Sequence, residues 1–299
     1  MQKKIAFWAV IAVAIWAACQ SAHAETAPTT KTSSFHVEVT GHGAPMILVP
    51  GLNSAGEVWD TTVDHYKDHY ECHVLTLAGF AGQPPIGTPF LAAVRDDLAA
   101  YIREKRLDHP VIVGHSLGGF LALWLAAEHP ELVGKIVIVD SLPALGAIMN
   151  PEISPDDLAS NARQMRDGML KSSEAQRLQY QRASIEGMIS ASADVERVVA
   201  WGKISDPKTT ANAMFELFST DLRQEVSKIQ APTLVLGTWI AYEKYATQAE
   251  IMQTFVSQYK NLKDAQIELA PKSRHFIMYD QPDWMFLEMD HFLASAKKA

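Results

Sequence analysis

The chain has 299 residues, of which 48% are hydrophobic and 20% are charged. This composition is typical of a folded globular protein and excludes a collagenous, coiled-coil or disordered chain. Lys and Arg total 26 against 34 Asp and Glu, which gives a formal net charge of −8. Because no block of basic residues could neutralise a row of phosphates, we expect no nucleic-acid partner.

The N-terminus has the pattern of a secretory signal peptide. Lys3 and Lys4 precede an uncharged apolar run, and small residues then lead to Ala24. The run is shorter than the roughly 20 residues of a spanning helix, so we expect no transmembrane segment. We predict that residues 1–24 are removed, that 25–34 form a flexible segment, and that the protein is exported, either periplasmic or secreted.

The two cysteines bear on the same prediction. Cys19 follows the apolar run and two small residues, a pattern that resembles a bacterial lipoprotein box, so lipid anchoring at Cys19 is the alternative to simple cleavage. After cleavage only Cys72 remains, and the mature chain then forms no internal disulfide.

Short aliphatic runs alternate with helical patterns from residue 35 onward. Several runs are apolar throughout, as in parallel strands that helices cover on both faces, and amphipathic segments such as 89–107 lie between them. The predicted strands are 35–39, 46–50, 72–78, 110–113, 135–140, 232–237 and 265–270. The pattern predicts an α/β protein with a mostly parallel sheet.

One long stretch, 142–230, contains helical patterns without a strand. We interpret it as a helical cap on a core formed by 35–141 and 231–299. Its methionines favour ordinary helix packing, with an apolar substrate pocket that includes Trp201 or Phe215 as the alternative. These methionines are Met149, Met165, Met169, Met188 and Met214.

The strongest chemical signal is Gly114-His115-Ser116-Leu117-Gly118, which lies between a predicted strand and a predicted helix. Glycines two residues before and after Ser116 allow a sharp turn that exposes the serine hydroxyl. We predict that Ser116 is a nucleophile.

A serine nucleophile needs a base, and His275 is the strongest candidate because it follows the last predicted strand. The carboxyl ends of parallel strands share one edge of the sheet, where Ser116 also lies. Asp140 ends the strand after Ser116 and keeps the chain order Ser, Asp, His, so it is the favoured acid. Glu243, beyond the strand 232–237, is the alternative acid.

The turn Gly51-Leu52-Asn53 follows the strand that ends at Pro50. We predict an oxyanion hole from the backbone N–H groups of Leu52 and Leu117, which would stabilise the charge on a carbonyl oxygen under attack. Asn53 either contacts substrate through its side chain or is an ordinary polar turn residue.

These features together resemble the α/β-hydrolase family, in the cap-bearing branch of esterases, lipase-like enzymes and lactonases, and the resemblance extends from about residue 35 to the C-terminus. It implies an α/β-hydrolase fold with the helical cap inserted after the sixth strand, in an exported bacterial member. Two positions depart from the family pattern: Pro50 stands where a His is usual, and no Asp follows the strand 232–237.

The sequence therefore predicts an exported serine hydrolase that cleaves a small-molecule carboxylic ester or lactone through an acyl-enzyme. The alternatives are a binding protein with little or no turnover, or another activity of the same triad, such as peptidase, thioesterase, carbon–carbon hydrolase or perhydrolase. The oligomeric state stays open.

No cofactor and no metal is predicted. His65, His69, Cys72 and His73 have a spacing that invites a zinc site, but a strand turns Cys72 and His73 to opposite sides. The loop 79–82 lacks the lysine and glycine pattern of a phosphate-binding loop.

Overall fold

The computed structural model describes residues 33–295. The predicted signal peptide, Cys19 and residues 25–32 of the predicted flexible segment lie outside this range. Ser34, which we expected to be flexible, is instead fully buried, and its carbonyl oxygen accepts a hydrogen bond from the Ala78 N–H at 2.9 Å. In the described range no helix combines the length and the hydropathy that crossing a membrane requires.

Within residues 33–295, seven strands form one sheet in the order β1-β3-β2-β4-β5-β6-β7. Only the edge pair β1 and β3 is antiparallel, and every other neighbouring pair is parallel. The strands are β1 Phe35–Gly41, β2 Ala44–Val49, β3 Tyr70–Leu77, β4 Val111–His115, β5 Lys135–Val139, β6 Thr233–Gly237 and β7 Ala265–Leu269. The predicted α/β fold with a mostly parallel sheet is confirmed.

Ten α-helices accompany the sheet within the described residues. They are α1 Asp60–Tyr66, α2 Phe90–Lys105, α3 Leu117–Glu128, α4 Pro155–Lys171, α5 Glu174–Met188, α6 Ser192–Lys203, α7 Pro207–Ser219, α8 Gln248–Gln258, α9 Ile277–Asp280 and α10 Pro282–Ala294. Short 3-10 turns join several of them.

The sheet separates two apolar cores. Alternate strand residues face opposite sides, so Ile47 packs in the core beneath α2, α3 and α8, whereas Leu48 packs in the core with α1 and α10. This arrangement explains why the central strands are apolar throughout.

The helices α4 to α7 follow β5, the fifth strand, and not the sixth as we expected. Four strands precede β5 in the described residues, so the helical insertion follows the fifth strand in chain order. Within it α4 packs on α7 and α5 packs on α6.

Packing of the cap methionines differs from the expectation of core packing. None of the five is fully buried, and Met149 is 94% exposed. α5 contributes no fully buried residue, so it is held mainly at its ends and by α6.

Candidate active site

The turn between β4 and α3 places Ser116 in a strained backbone conformation. Its φ is 52° and its ψ is −118°, and its N–H donates to the Val139 carbonyl at 2.9 Å. The predicted strand, turn and helix around Ser116 are therefore present. A non-glycine residue with positive φ is uncommon outside functional turns.

Glycines allow the strand β2, the helix α3 and this turn to approach one another. A Cβ on Gly114 would lie 2.3 Å from the Gly118 carbonyl oxygen, and a Cβ on Gly118 would lie 2.2 Å from that of Val49. A Cβ on Gly51 would lie 3.3 Å from the Ser116 Cβ. The turn that carries Leu52 thus borders Ser116, and Leu117 opens α3, where first-turn N–H groups have no acceptor within the helix.

Asp140 and His275 are brought together at the carboxyl edge of the sheet. His275 Nδ1 lies 2.6 Å from Asp140 Oδ2, and the two side chains are 19% and 9% exposed. Because β4 and β5 pair in parallel with His115 opposite Val139, Ser116 and Asp140 follow adjacent positions of neighbouring strands. Asp140 has a φ of 47°, a turn that leaves its carboxylate directed at His275.

Thr238, which the sequence analysis did not single out, completes the surroundings of this carboxylate. Its N–H donates to Asp140 Oδ1 and its hydroxyl to Oδ2, each at 2.9 Å. Thr238 is the first residue after β6, the strand beside β5, and is 1% exposed. Asp140 therefore accepts three hydrogen bonds in a largely buried position.

Glu243, the alternative acid, lies elsewhere. It is exposed at the end of a short 3-10 turn, Ile240–Tyr242, and the carboxylate on His275 Nδ1 is that of Asp140. The pKa values of Tyr242 and Tyr259 are both raised. Burial is the main cause, and the nearby negative charge of Asp140 is the second.

His115, the residue before Ser116, is hydrogen-bonded to the backbone of His275. Its Nε2–H donates to the His275 carbonyl oxygen at 3.2 Å, and the two rings lie 4.6 Å apart. Burial, and then the nearby His275, hold the pKa of His115 well below its usual value. His115 is therefore neutral and donates to the loop without adding charge to the site.

Asn53 is held by helix α7 of the insertion. Its Oδ1 accepts a hydrogen bond from the Thr210 hydroxyl of α7 at 2.7 Å, and its φ is 58°. The side chain predicted to contact substrate therefore has its amide oxygen engaged by the protein. The loop 79–82 is likewise tied to α7, through the Asp206 N–H and the Gly79 carbonyl at 2.7 Å.

The residues with zinc-like spacing have other contacts. His65 lies 3.1 Å from Asp290 and stacks on Phe286, whereas His73 bonds to Tyr101 and Glu71. Cys72 is buried, which raises its pKa to about 11. Within residues 33–295 no group of three or more His, Cys, Asp or Glu side chains is arranged to hold a metal ion.

The two aromatic residues considered for a substrate pocket have different neighbours in the structure. Trp201 packs against the core that contains Phe276, the residue after His275. Phe215 instead lies under the guanidinium of Arg166, 4.9 Å from the ring centre.

Comparison with known proteins agrees with this fold. A sequence profile described as the alpha/beta hydrolase family matches residues 46–286. The chain belongs to the alpha/beta hydrolase family. It is 30% identical over 210 residues to a pimeloyl-[acyl-carrier protein] methyl ester esterase of Vibrio cholerae, which covers 69% of this chain and 79% of that protein.

Two solved structures are similar to the family member described here. The enol-lactonase of Burkholderia xenovorans superposes with a TM-score of 0.68 at 16% identity, covering 87% of this chain and 96% of that one. A thermophilic esterase of Thermogutta terrifontis gives a TM-score of 0.70 at 19% identity, with 87% and 92% covered. At these identities the likeness shows the fold.

Proposed function

We propose that this family member is a serine hydrolase of carboxylic esters or lactones in which Ser116 is the nucleophile, His275 the base and Asp140 the acid. The observation that carries the proposal is the 2.6 Å contact between His275 Nδ1 and Asp140 Oδ2, beside the strained turn of Ser116. The family membership and the names of the similar esterase and lactonase support a carboxylic ester hydrolase.

The chemistry follows from which atoms are already engaged. Because Nδ1–H of His275 donates to Asp140, Nε2 is the ring nitrogen left to accept the Ser116 proton. Ser116 Oγ attacks the carbonyl carbon, and the Leu52 and Leu117 N–H groups stabilise the oxyanion. His275 then protonates the leaving alcohol. Water, deprotonated by the same nitrogen, attacks the acyl carbon, the bond to Ser116 Oγ breaks, and His275 returns the proton to that oxygen.

The alternative of a binding protein without turnover rested on the missing acid after β6. Thr238 stands at that point and donates to Asp140, so an acid supplied from β5 takes the place of one supplied from β6. This arrangement favours the hydrolase over the binding protein.

The test is hydrolysis of p-nitrophenyl esters, from acetate to laurate, and of a simple lactone series by the purified protein. Ser116→Ala is expected to lower kcat by on the order of 10⁴-fold or more, and Asp140→Asn by about 10³- to 10⁴-fold. Glu243→Gln is the matched control and should keep the wild-type rate. The chain-length profile then measures the size of the acyl site.

A fluorophosphonate probe provides the second readout. We expect labelling of the wild-type protein at Ser116 and none in Ser116→Ala. Wild-type protein that resists the probe and hydrolyses no ester or lactone would overturn the proposal in favour of the binding protein.

We also propose that residues 1–24 direct export and are removed after Ala24, on the charge and hydropathy pattern given above. Sequencing the N-terminus of the protein from a periplasmic or culture fraction tests this. A chain that begins at Glu25 supports cleavage there, whereas a lipid-modified N-terminal Cys19 identifies the lipoprotein alternative, and an intact Met1 in the cytoplasm contradicts both.

A further inference from the structure

Both neighbours of His275 are hydrogen-bonded to the C-terminal end of the cap helix α5. The Arg274 guanidinium donates to the carbonyl oxygens of Glu186 and Ile189, at 2.9 and 3.0 Å. On the other side of His275, the Phe276 N–H donates to the Met188 carbonyl at 3.3 Å. The last carbonyl oxygens of a helix receive no hydrogen bond from within it, so those of Glu186 and Met188 can accept from outside donors. Ile189 directly follows the helix.

A second set of contacts lies beside the first. The Asp280 carboxylate accepts from the Ser190 N–H and hydroxyl, each at 2.9 Å, just beyond the end of α5. The same carboxylate accepts from the Arg274 N–H at 2.8 Å. Asp280 therefore joins the segment after α5 to the loop that carries His275.

These bonds link an exposed helix to the proposed base. α5 has no fully buried residue, so its docking depends on its ends and on α6. A cationic side chain at the C-terminal carbonyls of a helix is also the favourable arrangement for the helix dipole. The loop 274–280 and the end of α5 are therefore one hydrogen-bonded unit.

We propose that Arg274, Asp280 and Ser190 are positioning residues, which hold the imidazole of His275 in place only while the end of α5 is docked. The proposal rests on the function proposed above. It assigns to α5 a role in placing the base in addition to covering the site, so that undocking of this cap helix would interrupt turnover. A displacement of about 1 Å at a reacting group lowers rates by as much as about 10²-fold.

The kinetic test compares Arg274→Gln, Asp280→Asn and Ser190→Ala with Glu196→Gln. Glu196 of α6 pairs with Arg182 of α5. Its substitution therefore weakens the contact between these two helices and leaves the contacts of the His275 loop unchanged. We expect kcat to fall by about tenfold or more in Arg274→Gln and Asp280→Asn while KM changes by less than about twofold. Ser190→Ala, which removes a hydroxyl just beyond α5, should also lower kcat at nearly constant KM, but by a smaller factor.

A rise in KM with unchanged kcat, or an equal effect of Glu196→Gln, would contradict the positioning role. Such results would show that the contacts only stabilise the cap. Circular dichroism and thermal midpoints of all four variants separate lost folding from a misplaced base.

Amide hydrogen exchange tests the coupling without reference to activity. In Arg274→Gln we expect the Phe276 amide and peptides covering 186–191 to lose protection together, by about tenfold. Exchange that rises in 186–191 while Phe276 keeps its wild-type rate would overturn this inference and leave the proposed hydrolase untouched. If the wild-type protein hydrolyses no ester, the proposed function fails and the exchange result still decides whether α5 and the loop move together.

Discussion

Thr238 donates two hydrogen bonds to Asp140, one from its N–H and one from its hydroxyl, each at 2.9 Å. The two residues directly follow neighbouring strands and lie 98 positions apart in the chain. Fixing both carboxylate oxygens leaves Asp140 one orientation toward the His275 Nδ1. The proposed acid is therefore held by a residue that itself carries no charge.

Thr238→Val removes the hydroxyl donor while keeping the shape of the side chain. Hydrogen bonds to charged groups contribute about 1.5–3 kcal/mol, so we expect kcat/KM for a p-nitrophenyl ester to fall by roughly tenfold or more. Thr233→Val is the control, because Thr233 is also buried in β6 and donates its hydroxyl to the Ala231 carbonyl. Equal activity of the two variants would show that Thr238 does not orient Asp140.

Gly118→Ala should destabilise the protein through a backbone clash. The new Cβ would lie 2.2 Å from the Val49 carbonyl oxygen and 2.6 Å from that of Pro50. We expect a loss of about 3 kcal/mol in the free energy of unfolding, measured by urea titration. In Gly168→Ala, in α4, the added Cβ would have no atom within 4 Å apart from its chain neighbours and the backbone of its own helix. This substitution should instead raise the free energy of unfolding by about 0.5–1 kcal/mol.

Glu216→Gln is expected to weaken the attachment of α7 to α2. The Glu216 carboxylate of α7 accepts from the Phe90 and Leu91 N–H groups, both at 2.7 Å, and so caps α2, whose own N-cap is Pro89. Loss of one acceptor and of the charge should lower the free energy of unfolding by about 1–2 kcal/mol.

Glu131→Gln is the control for Glu216→Gln, because Glu131 pairs with Arg103 on the surface. We expect an effect within about 0.5 kcal/mol there. A Glu216 variant as stable as the Glu131 variant would show that the cap contact contributes little.

The protein should lose stability as the pH falls below about 6.5. Burial lowers the pKa of His115 in the folded state, whereas in the unfolded chain the imidazole binds a proton near its ordinary pKa of 6.5. The unfolded state therefore holds more protons below that pH, and the free energy of unfolding falls by about 1.4 kcal/mol per pH unit from this group. The stability that the neutral His115 contributes is fully present above pH 6.5. It is lost progressively as the pH falls from 6.5 toward the pKa of His115 in the folded state.

Urea titrations between pH 7.5 and pH 5 check this dependence. His73, whose pKa burial also lowers, contributes in the same direction, so the wild-type slope combines both groups. His115→Phe should reduce the slope of the free energy of unfolding against pH by the part that His115 contributes. A slope that this substitution leaves unchanged would mean that His115 takes up its proton in the folded state.

The local pattern of the sequence determined the sheet, the order of its elements and the turn at Ser116. Apolar runs covered on both faces and glycines at fixed spacing are short-range signals, because strand burial and a tight turn depend on consecutive residues. The positions of Asp140 and His275 also followed from chain order, since parallel strands bring their carboxyl ends to one edge. The contact of Asp140 with His275 Nδ1 agrees with that expectation.

Only the tertiary structure decided how these groups are held. Thr238 on Asp140, Thr210 on Asn53, and Arg274 on the end of α5 join residues 85 to 157 positions apart. No local pattern encodes such contacts, because single polar residues in loops are common and their partners depend on where the cap helices pack. The sequence determined which chemical groups reach the sheet edge, and the packing of the cap and β6 determined their orientation.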